Sequence, residues 1–314
     1  MLCQTLIMAE CWLWSGVIAA IAALVGAGAL LGDPAAFHLP LLEVRAQAGG
    51  GEIPAAVLLP EAAWRRVLLP LAQEGFDPTE VAVPWHVLTS AGHTVTFATP
   101  LGGEAPRADQ LVLDTYLLGL IGASALTRRL YARLQRDAAF QRPLSFADID
   151  VAAFDGLLLP GGHAPATVAY LESEVLQAKV RAFWAQETRT VGAVCHGVLV
   201  LSRAGVLAGG TRTTAVTRDM ERAAYHLTRP LYGRYHLSTT WPRYTQDLIE
   251  QESGGARFDA GPANPLHTLW LGTATDHRRS HVVEDGRYVS ARFPGDVWTW
   301  SLRFGKKLAD DRRY

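Results

Sequence analysis

Val191-Gly-Ala-Val-Cys-His-Gly197 is an apolar run that ends in a turn, and Val198-Leu-Val-Leu-Ser202 continues it with helical character. Strand, sharp turn and helix, with a nucleophilic residue at the turn, is the arrangement of a nucleophile elbow. Ala193 and Gly197 stand two residues either side of Cys195 and are the small neighbours that a strained turn residue needs. A cysteine there points at a helix N-terminus, whose free amides and dipole favour a thiolate. The sequence therefore predicts a depressed thiol pKa and a good nucleophile. The bland alternative is a small buried core residue.

Working outward, the periodicity alternates strand and helix. Phe154-Asp-Gly-Leu-Leu-Leu-Pro160 reads as a buried strand, Glu172 to Glu187 as a helix, and Thr190 to Val194 as the strand that feeds the elbow. Upstream, Ala55-Ala-Val-Leu-Leu59 is a short apolar run ending at a proline and is the expected first strand. Thr79 to Gly92 has helical spacing and His93 to Ala98 alternates like a strand, which makes a βαβ unit. The Arg-rich stretch from Ser124 to Phe140 reads as a helical cap or insertion. His281 to Ser290 is a hairpin about Asp285-Gly286, and Asp296 to Leu308 is the closing helix. The fold class that follows is α/β, a doubly wound, mostly parallel sheet with helices on both faces. Ligands of such sheets bind at the carboxyl ends of the strands, where Cys195 lies.

The chain has 314 residues, 49% of them hydrophobic, and a net charge of −1 with no basic run, which discounts a nucleic-acid partner. Its three cysteines, Cys3, Cys11 and Cys195, form no disulfide framework and no metal-spaced pair. Residues 1–52 differ in character. Cys11 to Leu31 is 21 residues without a charge, flanked by Glu10 and Asp33, which predicts an apolar helix serving as a membrane anchor. Trp12 and Trp14 would sit at one interface. A signal peptide cleaved near Ala27-Gly-Ala29, or a start further downstream, is the alternative. No Lys or Arg precedes Arg45, whereas Arg45, Arg65 and Arg66 follow, which places the globular part, residues 53–314, on the cytoplasmic side of an anchored protein; signal cleavage would instead export it. Ala46-Gln-Ala-Gly-Gly-Gly-Glu52 reads as a linker.

Gly75-Phe-Asp-Pro-Thr-Glu80, Leu159-Pro-Gly-Gly-His163, Gly192-Ala-Val-Cys-His-Gly197 and Val283-Glu-Asp-Gly286, in that order, resemble the ThiJ/PfpI superfamily, which shares the class I glutamine amidotransferase-like fold. The adjacent Cys-His pair looks most like the glyoxalase III and heat-inducible chaperone branch. The resemblance spans roughly Ile53 to Leu308, but the N-terminal apolar segment departs from it and Leu231 to Pro265 has no match. It implies that His196 shuttles protons beside Cys195, oriented by an acid, for which Glu221 is the choice and Asp219 the reserve. It implies that Glu80 reaches the sulfur from a helix end as a protonated carboxyl. Gly161 and Gly162, with the His196 amide, would form an oxyanion hole, and His163 would be a wall of the site.

No histidine after Cys195 is followed two places later by Glu, which argues against glutamine hydrolysis. His226, His236, His267, His277 and His281 make no i, i+4 pair around an acid, so spacing supports no metal site. The leading reading is a cofactor-independent enzyme acting on a small electrophilic carbonyl such as a 2-oxoaldehyde. The alternatives are a cysteine peptidase or amidase of the same fold, and a holdase chaperone or redox sensor. A homodimer is compatible with each.

Overall fold

The computed structural model describes residues 61–115, 122–262 and 271–310. Its main sheet has seven strands: β1 (Arg66–Pro70), β2 (Thr94–Thr99), β3 (Leu144–Ser145), β4 (Gly156–Leu159), β5 (Thr190–Val194), β6 (Val282–Asp285) and β7 (Tyr288–Ala291). Their spatial order is β6-β7-β5-β4-β1-β2-β3, and every pairing is parallel except that of β6 with β7. The chain leaves β1 towards β2 on one side and later returns to β4 and β5 on the other. The order therefore switches direction between β1 and β4, where open α/β sheets carry their ligand crevice.

The continuous apolar strands are explained by helices on both faces. In β4, Leu158 belongs to one core, which it shares with α1 (Pro78–Ser90) and α8 (Val297–Asp310). Its neighbours Leu157 and Leu159 belong to the other, shared with α4 (Glu174–Trp184) and α5 (Val198–Arg203). With side chains alternating across the pleat, a strand covered on both sides has no polar position to spare.

The strand and helix boundaries expected for Phe154–Pro160, Thr190–Val194, Val198–Ser202, the hairpin and the closing helix agree with the structure to within two residues. The Arg-rich stretch is two helices, α2 (Ala125–Leu134) and α3 (Ala138–Gln141), because Asp137 caps a new N-terminus by accepting from the amides of Ala139 and Phe140. The expected strand at Ala55–Leu59 lies outside the described residues, and the first described strand, β1, starts eleven residues later than that run does.

The membrane anchor is corrected. Among the described residues no helix is long and apolar enough to cross a membrane, and residues 11–31, like the linker at 46–52, lie outside them. Neither the anchor nor the cytoplasmic placement inferred from it is retained.

Candidate active site

Three loops at the carboxyl ends of the strands bring the predicted residues together. The first leads into α1, where Asp77 accepts from the amides of Thr79 (2.7 Å) and Glu80 (3.3 Å) and Pro78 takes the first helical position. This cap fixes Glu80 in the first turn, and Glu80 is buried. The second is Pro160-Gly161-Gly162-His163 after β4, and the third is the elbow after β5.

At the elbow, Cys195 has φ +56°, the only non-glycine residue with positive φ among those described. The chain reverses sharply there and starts α5 directly beneath β4. That approach requires Gly197, since a Cβ on it would stand 2.1 Å from the carbonyl oxygen of Leu159. Gly161 is required for the same kind of reason. A Cβ there would lie 2.7 Å from the His196 amide nitrogen, 3.1 Å from Cys195 Cβ and 3.2 Å from Glu80 Oε2.

The side chains form a connected set. Cys195 Sγ lies 3.4 Å from His196 Nδ1, and His196 Nε2 lies 3.0 Å from Glu221 Oε1, all of them buried. The second contact is short but off the angle of a formed hydrogen bond, as catalytic contacts often are before substrate aligns them. Glu221 sits in the first turn of α6 (Arg218–Tyr232). Its Oε2 accepts from the Thr245 amide (2.6 Å) and its Oε1 from the Thr245 hydroxyl (2.9 Å), at the start of α7 (Thr245–Glu252). The reserve acid, Asp219, is 72% exposed and pairs with Arg222. Glu80 Oε2 accepts from the Gly161 amide at 2.7 Å, and its carboxyl stands beside the Cys195 side chain with Oε1 buried and unpartnered. The Gly161 amide is therefore engaged by Glu80.

The electrostatics also correct the expected thiolate. Burial pushes the Cys195 thiol well above its ordinary value, and the carboxyls of Glu80, Asp77 and Glu221 push it the same way, against the pull of the His196 amide. A helix N-terminus cannot outweigh a dry site lined by acids. Burial holds Glu80 well above the usual carboxylate range, with Asp77 beside it adding to the effect. Asp77 itself is raised to about 6, mainly by burial. Glu221 is raised to about 8 by burial, against the two bonds from Thr245. Burial, helped by Arg203, lowers His196 to about 3. At neutral pH Cys195 rests as a thiol, His196 as a neutral imidazole, and Glu80 and Glu221 as protonated carboxyls, whereas Asp77, at about 6, is mostly ionised.

His163 stands where a wall residue was expected, with its ring 4.7 Å from that of His196 and 4.6 Å from that of His236. Burial and the His196 ring lower it to about 3. Sequence reasoning missed Thr245, Tyr235 and His236, all in the stretch after Leu231. Tyr235 donates to Asp109 Oδ2 at 2.5 Å, and the Ser238 hydroxyl donates to the His163 carbonyl, which fastens this segment over the site. No local pattern marks these residues, because their partners lie far along the chain: 126 positions for Tyr235 and Asp109, 73 for His236 and His163, and 24 for Thr245 and Glu221.

The chain is similar to known proteins. The family described as ThiJ/PfpI family-like matches residues 71–253. An uncharacterised protein of Schizosaccharomyces pombe is 27% identical over 239 residues, 74% of this chain and 79% of its own. A deglycase of Thermococcus kodakarensis is 26% identical over 243 residues, 77% of this chain and 98% of its own. Among solved structures, glyoxalase III of Candida albicans superposes with a TM-score of 0.56 at 16% identity, over 77% of this chain and 96% of its own, a likeness of fold.

Proposed function

The chain belongs to the ThiJ/PfpI-like family, and from that premise we propose that it is a cysteine-dependent, cofactor-independent enzyme acting on a small reactive carbonyl, a 2-oxoaldehyde being the leading substrate class. The observation that carries this reading is the buried Cys195, held at φ +56° between the imidazole of His196 and the carboxyl of Glu80. The deglycase relative points the same way, towards carbonyl chemistry.

The neutral resting thiol and imidazole define the order of events. A thiol adds to an aldehyde carbon only as its proton leaves, so His196 Nδ1, neutral and 3.4 Å from the sulfur, takes that proton as the C–S bond forms. Glu221, protonated at rest, stands behind Nε2 with Oε1 placed to accept from the ring N–H, which leaves Nδ1 unprotonated beside the sulfur. Returning the proton to the aldehyde oxygen completes a hemithioacetal. The C1 proton is then removed and one is delivered to C2, through an enediol, which converts the hemithioacetal to the thioester of a 2-hydroxy acid. Glu80, protonated at rest and in contact with the sulfur, is placed to exchange these protons. Water cleaves the thioester, releasing the 2-hydroxy acid and restoring the thiol. Over the cycle one water is consumed and no external oxidant or reductant is used.

The test is purified protein with methylglyoxal, with lactate measured by chiral chromatography. Wild type forms lactate and Cys195→Ala does not. Wild-type protein that forms none, or Cys195→Ala that forms as much, rejects the reading.

A further inference from the structure

The same pocket assembles a donor set that the reaction above does not need. Ligand-capable atoms of His163, Cys195 and His196 all lie within 4.8 Å of one another. One edge of that triangle, Cys195 Sγ to His196 Nδ1, is 3.4 Å. A tetrahedral ion with a bond of about 2.3 Å to sulfur and about 2.0–2.1 Å to nitrogen sets its ligands roughly 3.5 Å apart. One edge is thus already of the right length, and the others, at no more than 4.8 Å, need a contraction of at most about 1.3 Å to match it.

Both imidazoles are also held from behind. Nε2 of His196 faces Glu221, itself fixed by two bonds from Thr245. The His163 ring hydrogen-bonds the main chain of His236, while its Nδ1 is buried with no hydrogen-bond partner. A carboxylate or main-chain acceptor on the far nitrogen is how metal-ligating histidines are oriented. A buried acceptor atom left unsatisfied is what a cation would satisfy.

We propose that His163, Cys195 and His196 form a binding site for a thiophilic divalent cation of the zinc class, with the fourth position open to water. When the S–metal bond forms, the Cys195 S–H bond breaks and its proton passes to solvent, with no change of oxidation state. Because the ion takes the sulfur that the proposed reaction uses, occupancy inhibits that reaction; this consequence rests on the reading above, whereas binding itself does not.

The experiment uses the full chain, reduced and stripped with a chelator, and titrated with Co²⁺ and then Zn²⁺. One Co²⁺ should bind per chain with the intense visible bands of a tetrahedral site and a thiolate-to-cobalt charge-transfer band, and Zn²⁺ should displace it. Cys195→Ser should lose the charge-transfer band. Glu221→Gln should weaken binding by about 10–100-fold, as loss of an acceptor behind a ligand does, and His163→Gln should weaken it at least as much. Absence of binding, binding without the charge-transfer band, or unchanged affinity in Cys195→Ser or His163→Gln overturns the site. The readout is spectroscopic, so a chain that binds cobalt yet leaves methylglyoxal untouched rejects the proposed reaction and leaves the metal site standing.

Discussion

Glu221→Gln is the substitution whose effect follows most directly from the geometry. The Thr245 amide can only donate, and it donates to Oε2 at 2.6 Å. The glutamine must place its carbonyl oxygen there, which turns its NH₂ towards His196 Nε2, 3.0 Å from the original Oε1. Nε2 then has to accept, so the ring proton moves to Nδ1, beside Cys195 Sγ. An imidazole already protonated at Nδ1 cannot take the thiol proton. Wrong-tautomer substitutions of this kind in catalytic triads lower kcat by about 10⁴, and a loss of 10³ to 10⁴ here corresponds to roughly 4–5.5 kcal/mol of barrier. KM should change little, since Glu221 does not face the substrate. Steady-state kinetics on methylglyoxal, with the exposed Asp219→Asn as a silent control, read both constants. The same variant has a stability signature. Glu221 is raised from 4.5 to about 8 in the fold, so between those values the folded chain holds a proton that the unfolded chain has released. Wild-type stability is therefore full below about 4.5 with respect to this group and falls as pH rises to about 8, by on the order of 5 kcal/mol at 1.36 kcal/mol per pH unit. Glu221→Gln lacks that slope, and its melting temperature should gain on wild type as pH rises. A variant with kcat within about threefold of wild type at every pH would refute the tautomer argument.

Three further outcomes are expected. Alkylation of Cys195 by iodoacetamide should be slow at neutral pH and still accelerating above pH ~8.5, because burial and neighbouring carboxyls hold the thiol up; a rate that plateaus below pH 7 would restore the thiolate. Gly161→Ala should destabilise by about 1–3 kcal/mol and depress turnover, since its Cβ meets the His196 amide at 2.7 Å and no side-chain rotation relieves a main-chain clash; unchanged melting and activity would show that the loop has room. Cys195→Gly should melt above Cys195→Ala, by roughly 1 kcal/mol or ~2–4 °C, because only glycine adopts φ +56° without strain; the reverse order would mean that the elbow stores none.

The elbow at Cys195 and its fold context were legible in the sequence because they are local. An apolar strand, a turn with small neighbours and a helix occupy a dozen consecutive residues, and the adjacent Cys195 and His196 need no tertiary information to meet. The covered strands were legible because burial on both faces leaves continuous apolar runs. The same simplicity made the first strand ambiguous: Val-Leu-Leu-Pro occurs at 57–60 and again at 67–70, and periodicity cannot rank two copies of one tetrapeptide. The second copy holds β1. What only the tertiary structure decided are quantities that depend on convergence. The choice of Glu221 over Asp219 turns on which face of one helix meets Thr245 from another. The commitment of the Gly161 amide to Glu80 joins residues 81 positions apart. The charge of Cys195 was misjudged because the elbow supplies a favourable dipole locally, whereas the opposing carboxyls of Glu80, Asp77 and Glu221 come from other elements and act through a medium dried by burial. A sequence records which groups exist and their nearest neighbours; desolvation and field are sums over everything that folding brings within a few ångströms.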